Sequence, residues 1–148
     1  MNVRDMMQTE VITLSLYDHL AIAEDIMRLG RVRHLPVLDG DRPVGLVSQR
    51  DLFRAGMSSV LELEPASNQQ WLEKVVVQDV MTRDVETIHP DQPMRSAVEK
   101  MLEKKIGCLP VVEDGGLVGL ISETDCLSYL AHLLQTGELR QELPELTE

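Results

Sequence analysis

Shifting this 148-residue chain against itself by 74 positions lays Val3–Phe53 on Val77–Leu127 without a gap. No other feature limits the fold as much, because a duplicated unit must be built twice and packed against its own copy. Fifteen of the 51 superposed positions are identical, where average composition would give roughly three by chance. The identities cluster in Leu35-Pro36-Val37 against Leu109-Pro110-Val111, in Val44-Gly45-Leu46 against Val118-Gly119-Leu120, and in the pairs Ser48/Ser122 and Asp51/Asp125.

Each copy predicts the element order β-α-β-β-α. The short alternating runs Val11–Leu14 and Val85–Ile88 predict strands. Leu20, Ala23, Ile26 and Met27 then predict an amphipathic helix that stops at Gly30, and Met94, Ala97, Val98, Met101 and Leu102 predict its counterpart. Asp91 is the expected N-cap of that second helix, with Pro93 in its first turn. Two apolar runs follow in each copy, 35–38 and 44–47, then 109–112 and 117–121. The turn residues between them signal hairpins. Pro36 and Pro110 predict strand starts or edges, because proline cannot donate to a ladder. A final helix begins at Ser48 and at Ser122.

The copies are expected at 1–62 and 77–136, joined by a Pro/Ser/Asn/Gln-rich linker at 63–76 that Trp71 pins to the body. An acidic tail, 137–148, follows. At about 60 residues neither unit buries enough surface to be comfortable alone. The expected fold is therefore α+β, two β-α-β-β-α units packed about a pseudo-twofold axis, with small mixed sheets and helices. Aromatics make up only 3% of residues, so Val, Leu, Ile, Met and Ala must supply the core.

The formal charge of −11 argues against nucleic acid and anionic membranes as partners, since phosphate surfaces need a surplus of Lys and Arg. A small anion held by local cations stays compatible. The N-terminus shows no signal-peptide pattern and no run approaches the ~20 apolar residues of a membrane span. Cys108 and Cys126 lack metal-ligand or CxxC spacing and read as reduced core thiols, which gives a cytoplasmic expectation. His19, His89 and His132 are scattered and suggest no metal site. There is no P-loop and no nucleophile–base arrangement, so no enzyme is expected.

The pattern DMMQTEVITL…RHLPVLDGDRPVGLVSQRDL, repeated as DVMTRDVETI…GCLPVVEDGGLVGLISETDC, resembles a tandem pair of CBS (cystathionine β-synthase) domains, over residues 1 to about 136. Among stand-alone pairs it is similar to bacterial proteins of the acetoin-utilisation B type. The resemblance implies a regulatory module that requires no cofactor. It would bind AMP, ADP or ATP, or alternatively S-adenosylmethionine, in clefts between the repeats. It also implies a homodimer forming a disc of four CBS domains, acting on an effector protein that the sequence does not name. A ligand-free dimerisation or scaffold module is the competing reading.

The motifs GLVSQRD (45–51) and GLISETD (119–125) carry two roles at once. Ser and Asp three residues apart at a strand-to-helix junction form a capping box. The same helix N-terminus offers N–H groups to a phosphate. The resemblance implies that Asp51 and Asp125 accept from ribose hydroxyls while Ser48 and Ser122 sit on the phosphate side. It implies that Thr13 and Thr87 line an adenine cleft walled by Leu35, Pro36, Leu109 and Pro110, although β-propensity and core packing also account for these residues. The copies differ in charge: the first carries Arg31, Arg33 and His34 before its second strand and Arg50 within its motif, whereas the second has Lys104 and Lys105 but Gly107, Cys108 and Glu123 at the positions matching Arg33, His34 and Gln49. Unequal sites are expected, with phosphate drawn towards Arg33, His34 and Arg50.

Overall fold

The structure, a computed structural model, describes residues 1–30, 32–62 and 72–138. Arg31, Trp71, most of the expected linker and the tail beyond 138 lie outside the described residues. In chain order the elements are α1 (Val3–Met6), β1 (Leu14–Ser15), α2 (Leu20–Gly30), β2 (His34–Asp39), β3 (Arg42–Ser48) and α3 (Gln49–Glu62). A 3₁₀ turn (Val77–Asp79) follows, then α4 (Met94–Lys104), β4 (Cys108–Glu113), β5 (Gly116–Ser122) and α5 (Glu123–Thr136). No helix among the described residues is long and apolar enough to cross a membrane.

The hairpins form in matching register. Leu35 pairs with Val47 and Leu109 with Ile121, and both ladders shift at the same place, Val37/Leu38 and Val111/Val112. Asp114 and Gly115 turn the second hairpin with φ of 51° and 80°, the left-handed pair that an Asp-Gly turn favours.

The first strand of each copy is shorter than its alternating pattern predicts. In the first copy only Leu14 and Ser15 pair, in parallel with Val37 and Leu38. In the second, Ile88 makes a single bridge to Val111. Pro36 and Pro110 supply the reason: neither starts its strand, and Pro110 stands on an edge strand, β4 of the two-stranded sheet, whereas β2 with Pro36 lies between β1 and β3. Ile88 N–H donates to the Pro110 carbonyl and Val112 N–H to the Ile88 carbonyl. The preceding rung would need an N–H on Pro110, which has none, so the ladder stops there.

The opening segments are exchanged between copies. Val3 is buried in the second copy's core beside Ile88, Met94 and Leu109. Val77 and Met81 are buried in the first, beside Leu14, Leu20 and Leu35. Symmetric backbone bonds hold the exchange: Val3 N–H to Gln92 O and Met94 N–H to Met1 O in one half, Val77 N–H to Asp18 O and Leu20 N–H to Val75 O in the other. Two cores result, each completed by the other copy's leading segment.

Two helix expectations are corrected by this exchange and by the width of the core. Pro93, not Asp91, is the N-cap of α4, without a side-chain cap. The first free N–H of the helix already donates to the Met1 carbonyl, and Asp91 turns instead to Arg4, at 3.1 Å. Leu102 stands 73% exposed while Met94, Ala97 and Met101 are buried; it lies about 100° round the helix from Met101, past the buried stripe.

Candidate functional site

Ser48 and Ser122 close the capping boxes that their spacing predicts. At α3, Asp51 Oδ2 accepts from Ser48 N–H at 2.8 Å and from Ser48 Oγ at 3.0 Å, and Asp51 N–H donates to Ser48 Oγ at 3.1 Å. At α5, Asp125 Oδ2 accepts the same pair at 2.8 and 3.0 Å. Each Asp therefore commits one oxygen to its helix and has Oδ1 left over.

The two spare oxygens meet different partners, because of the exchanged segments. Thr82 bridges to Leu46 and Gln8 to Leu120, at equivalent places about the pseudo-twofold axis. The Thr82 hydroxyl reaches Asp51 only at 3.4 Å. The longer Gln8 carboxamide donates to Asp125 Oδ1 at 3.0 Å, and Asp125 is 6% exposed. Asp51 stays half-buried and open.

A cavity of about 1270 Å³ lies over the first motif, larger than the roughly 300–1,000 Å³ of typical small-molecule sites. Among the sequence-predicted residues it gathers Arg33, His34, Ser48, Arg50, Asp51 and Cys108. Thr13, Thr87, Ser122 and Asp125 lie outside its lining. Leu35, Pro36, Leu109 and Pro110 are buried in the strands beneath. Residues with no motif complete the wall: Glu24, Arg54, Thr82 and Lys105 among them.

Four cations on this wall, Arg33, Arg50, Arg54 and Lys105, make no ion pair among the described residues. Acids share the lining: Glu86 is drawn to Lys100 and Lys104 and Asp51 is tied to its cap, while Glu24, Asp84 and Glu123 stand on the wall with the cations. Lys105 holds φ 54° at the end of α4, a conformation in which glycine would be least strained. Its side chain thereby stays on the cavity wall.

Burial lowers the pKa of His34 from its ordinary 6.5, aided by Arg33 and opposed by Glu123 and Asp51. A Cβ at Gly107 would lie 3.3 Å from the imidazole, so the ring occupies the space that glycine leaves there. Since the unfolded chain takes up this proton first, stability contributed here is lost as pH falls below 6.5 towards the lower folded value. Thermal melts from pH 7.5 to 5.5 should show a steeper decline for the native chain than for His34→Gln; equal slopes would remove His34 from the account. Burial also pushes the Cys108 thiol up to about 12 and that of Cys126 up to about 11, so both stay protonated and unreactive at neutral pH.

His89, Asp91 and Glu113 converge on the surface, a grouping the sequence does not suggest. Arg4 already bridges the two carboxylates at 3.1 and 3.2 Å, so a built-in cation occupies the position.

The CBS domain model matches residues 3–58 and 77–132. The chain belongs to the CBS-domain family. The CBS pair is 32% identical to the crystal structure of Vibrio cholerae AcuB, covering 97% of this chain and 98% of that one with a TM-score of 0.76. It is 25% identical to the CBS pair of protein MJ0100 solved with 5′-methylthioadenosine and S-adenosylmethionine, over 89% and 97% of the chains, with a TM-score of 0.74. It is 25% identical to CBSX2 in complex with AMP, over 90% and 98%, with a TM-score of 0.73. Among curated proteins it is 34% identical over 87% of its length to inosine-5′-monophosphate dehydrogenase of Korarchaeum cryptofilum, yet spans only 24% of that enzyme. It likewise spans 48% of protein MK0525 of Methanopyrus kandleri.

Proposed function

We propose that this CBS pair is a non-catalytic regulatory module that binds an adenine nucleotide in the cleft at Asp51. The observation that carries the reading is the large open cavity at a helix N-terminus, lined by cations without ion-pair partners among the described residues. Asp51 Oδ1 accepts from the ribose hydroxyls. The phosphate lies towards Ser48, the positive dipole end of α3, and Arg33, His34 and Arg50. Cys108 contributes apolar wall. Leu35, Pro36, Leu109 and Pro110 support the cleft from the buried strands, while Thr13 and Thr87 lie outside its lining and carry no ligand contact in this reading.

The AMP complex of CBSX2 and the S-adenosylmethionine complex of MJ0100 support an adenosyl ligand. Cations without ion-pair partners among the described residues favour a phosphate over a sulfonium, because like charges repel in a partly buried site. A ligand-free scaffold would have no use for an open cleft of this size. At the second motif Gln8 already satisfies Asp125, so the sites are unequal. Occupancy is transmitted by differential affinity for two arrangements of the module. Calorimetric titration with AMP, ADP, ATP and S-adenosylmethionine tests this: a phosphate-bearing ligand should bind most tightly. Absence of both heat and thermal stabilisation with all four would contradict the reading and favour the scaffold.

The module assembles as a homodimer of four CBS domains. Leu127, Leu130 and Leu134 form an i, i+3, i+7 stripe on α5, with Leu127 and Leu134 64% and 61% exposed. A second copy covers such a stripe economically. Sedimentation should give twice the 16.7 kDa protomer mass. Leu127→Glu combined with Leu134→Glu should give the monomer mass, and a variant that stays dimeric would place the interface elsewhere.

A further inference from the structure

We propose that Glu123, supplied by the second copy, sets the number of phosphates the cleft accepts, admitting a monophosphate and disfavouring di- and triphosphates; this rests on the nucleotide reading above. Glu123 lines the cavity over the first motif, although it is the first residue of α5 in the other copy. Room does not limit the ligand, since about 1270 Å³ has space for a triphosphate as well as a monophosphate. Charge therefore decides how long a phosphate chain is tolerated.

The neighbours of His34 fix where Glu123 stands. Asp51 Oδ2 accepts from Ser48 Oγ, and Ser48 pairs with His34 across the β2–β3 ladder. A Cβ at Gly107 would lie 3.3 Å from the His34 imidazole and 3.4 Å from Glu123 Oε1, so ring and carboxylate approach one point from the two copies. His34 thus feels Asp51 of its own copy and Glu123 of the other, with Arg33 alongside. With ribose at Asp51 and the first phosphate at Ser48, Arg33 and His34, further phosphates pass the imidazole into the field of Glu123. Like charges at that range in a partly buried site repel. Arg33 and Arg50 serve the first phosphate and Arg54 stands a turn further along α3; Lys105, two residues before Gly107, opposes the repulsion.

The repeat shows that the fold does not need this charge. The matching residue is Gln49, the first of α3. Its N–H donates to the Arg33 carbonyl at 3.0 Å, as that of Glu123 donates to the Gly107 carbonyl at 3.0 Å. The two positions are equivalent in backbone and differ by one charge. An acid in the first turn of a helix is stabilising by itself, so discrimination between ligands, which a purely structural carboxylate would not move, separates the two roles.

The test is calorimetric titration of native chain, Glu123→Gln and Glu123→Lys with AMP, ADP and ATP, in magnesium-free buffer of fixed ionic strength. The native chain should bind AMP about tenfold more tightly than ATP, with ADP between them. Glu123→Gln should narrow that gap to about twofold while changing AMP affinity by no more than about threefold, and Glu123→Lys should make ATP the tighter ligand. Glu103→Gln removes the same charge from an exposed position on α4 outside the cavity lining, and should keep the native preference. An unchanged AMP-to-ATP ratio in Glu123→Gln, or an equal change in Glu103→Gln, would overturn the inference while leaving AMP binding, and so the proposed function, intact. Tighter binding of ATP than AMP by the native chain would show that Lys105 outweighs Glu123 and overturn it too. No nucleotide binding by the native chain would contradict the proposed function and this inference together.

Discussion

Asp51→Asn should weaken AMP binding by roughly tenfold to a hundredfold, whereas Asp125→Asn should leave it within about twofold. The motifs are identical at Ser and Asp, and both cap their helices through Oδ2, so the difference rests on Oδ1. In the first cleft that oxygen has, among the described residues, only the Thr82 hydroxyl at 3.4 Å; in the second it holds the Gln8 amide at 3.0 Å. Asparagine keeps one oxygen for the cap but takes the charge from the ribose contact. Titration calorimetry on both variants, with melts to confirm folding, measures the contrast. Equal losses would show that Gln8 moves aside and both clefts serve.

Gly119→Ala should destabilise the fold by about 2 kcal/mol, lowering the melting temperature by about 6 °C for a chain of this length. A Cβ at Gly119 would lie 2.6 Å from Met7 Sδ and 2.8 Å from the Gln8 carbonyl. The methionine can swing away. The carbonyl cannot, because Gln8 and Leu120 exchange two backbone hydrogen bonds of 2.9 Å there. Gly45 faces Met81 and the Thr82 carbonyl in the same way. Since Thr82 lines the open cavity, Gly45→Ala should also weaken AMP binding, while Gly119→Ala should cost stability alone. Melting curves unchanged by either substitution would contradict the close approach of the exchanged segments.

The repeat made most of the architecture legible before any coordinates. Its identities mark the hairpins, the helix stripes and both capping boxes, because each of these is local and has a fixed period or spacing. The exchange of opening segments was not legible: Val3/Val77 and Met7/Met81 are visible as identities, but nothing in a linear pattern says which core each one enters. For the same reason the contrast of Gln8 with Thr82 reads as a trivial difference until the fold sets each against a Ser–Asp motif. The strand truncation was readable from the missing N–H of Pro36 and Pro110, had the parallel partner been known. Glu24 belongs to no motif and looks like the solvated face of an amphipathic helix. Arg33, His34 and Arg50 stood out as a local excess of positive charge in an acidic chain, and the fold brings them to one cavity.

The unequal clefts are tested most directly by the stoichiometry of AMP binding to the native chain, measured by calorimetry at protein concentrations well above the dissociation constant. One AMP per chain, bound roughly tenfold to a hundredfold more weakly in Asp51→Asn and within about twofold of native in Asp125→Asn, is the predicted result. Two equivalent AMP molecules per chain, or one that depends on Asp125, would contradict it.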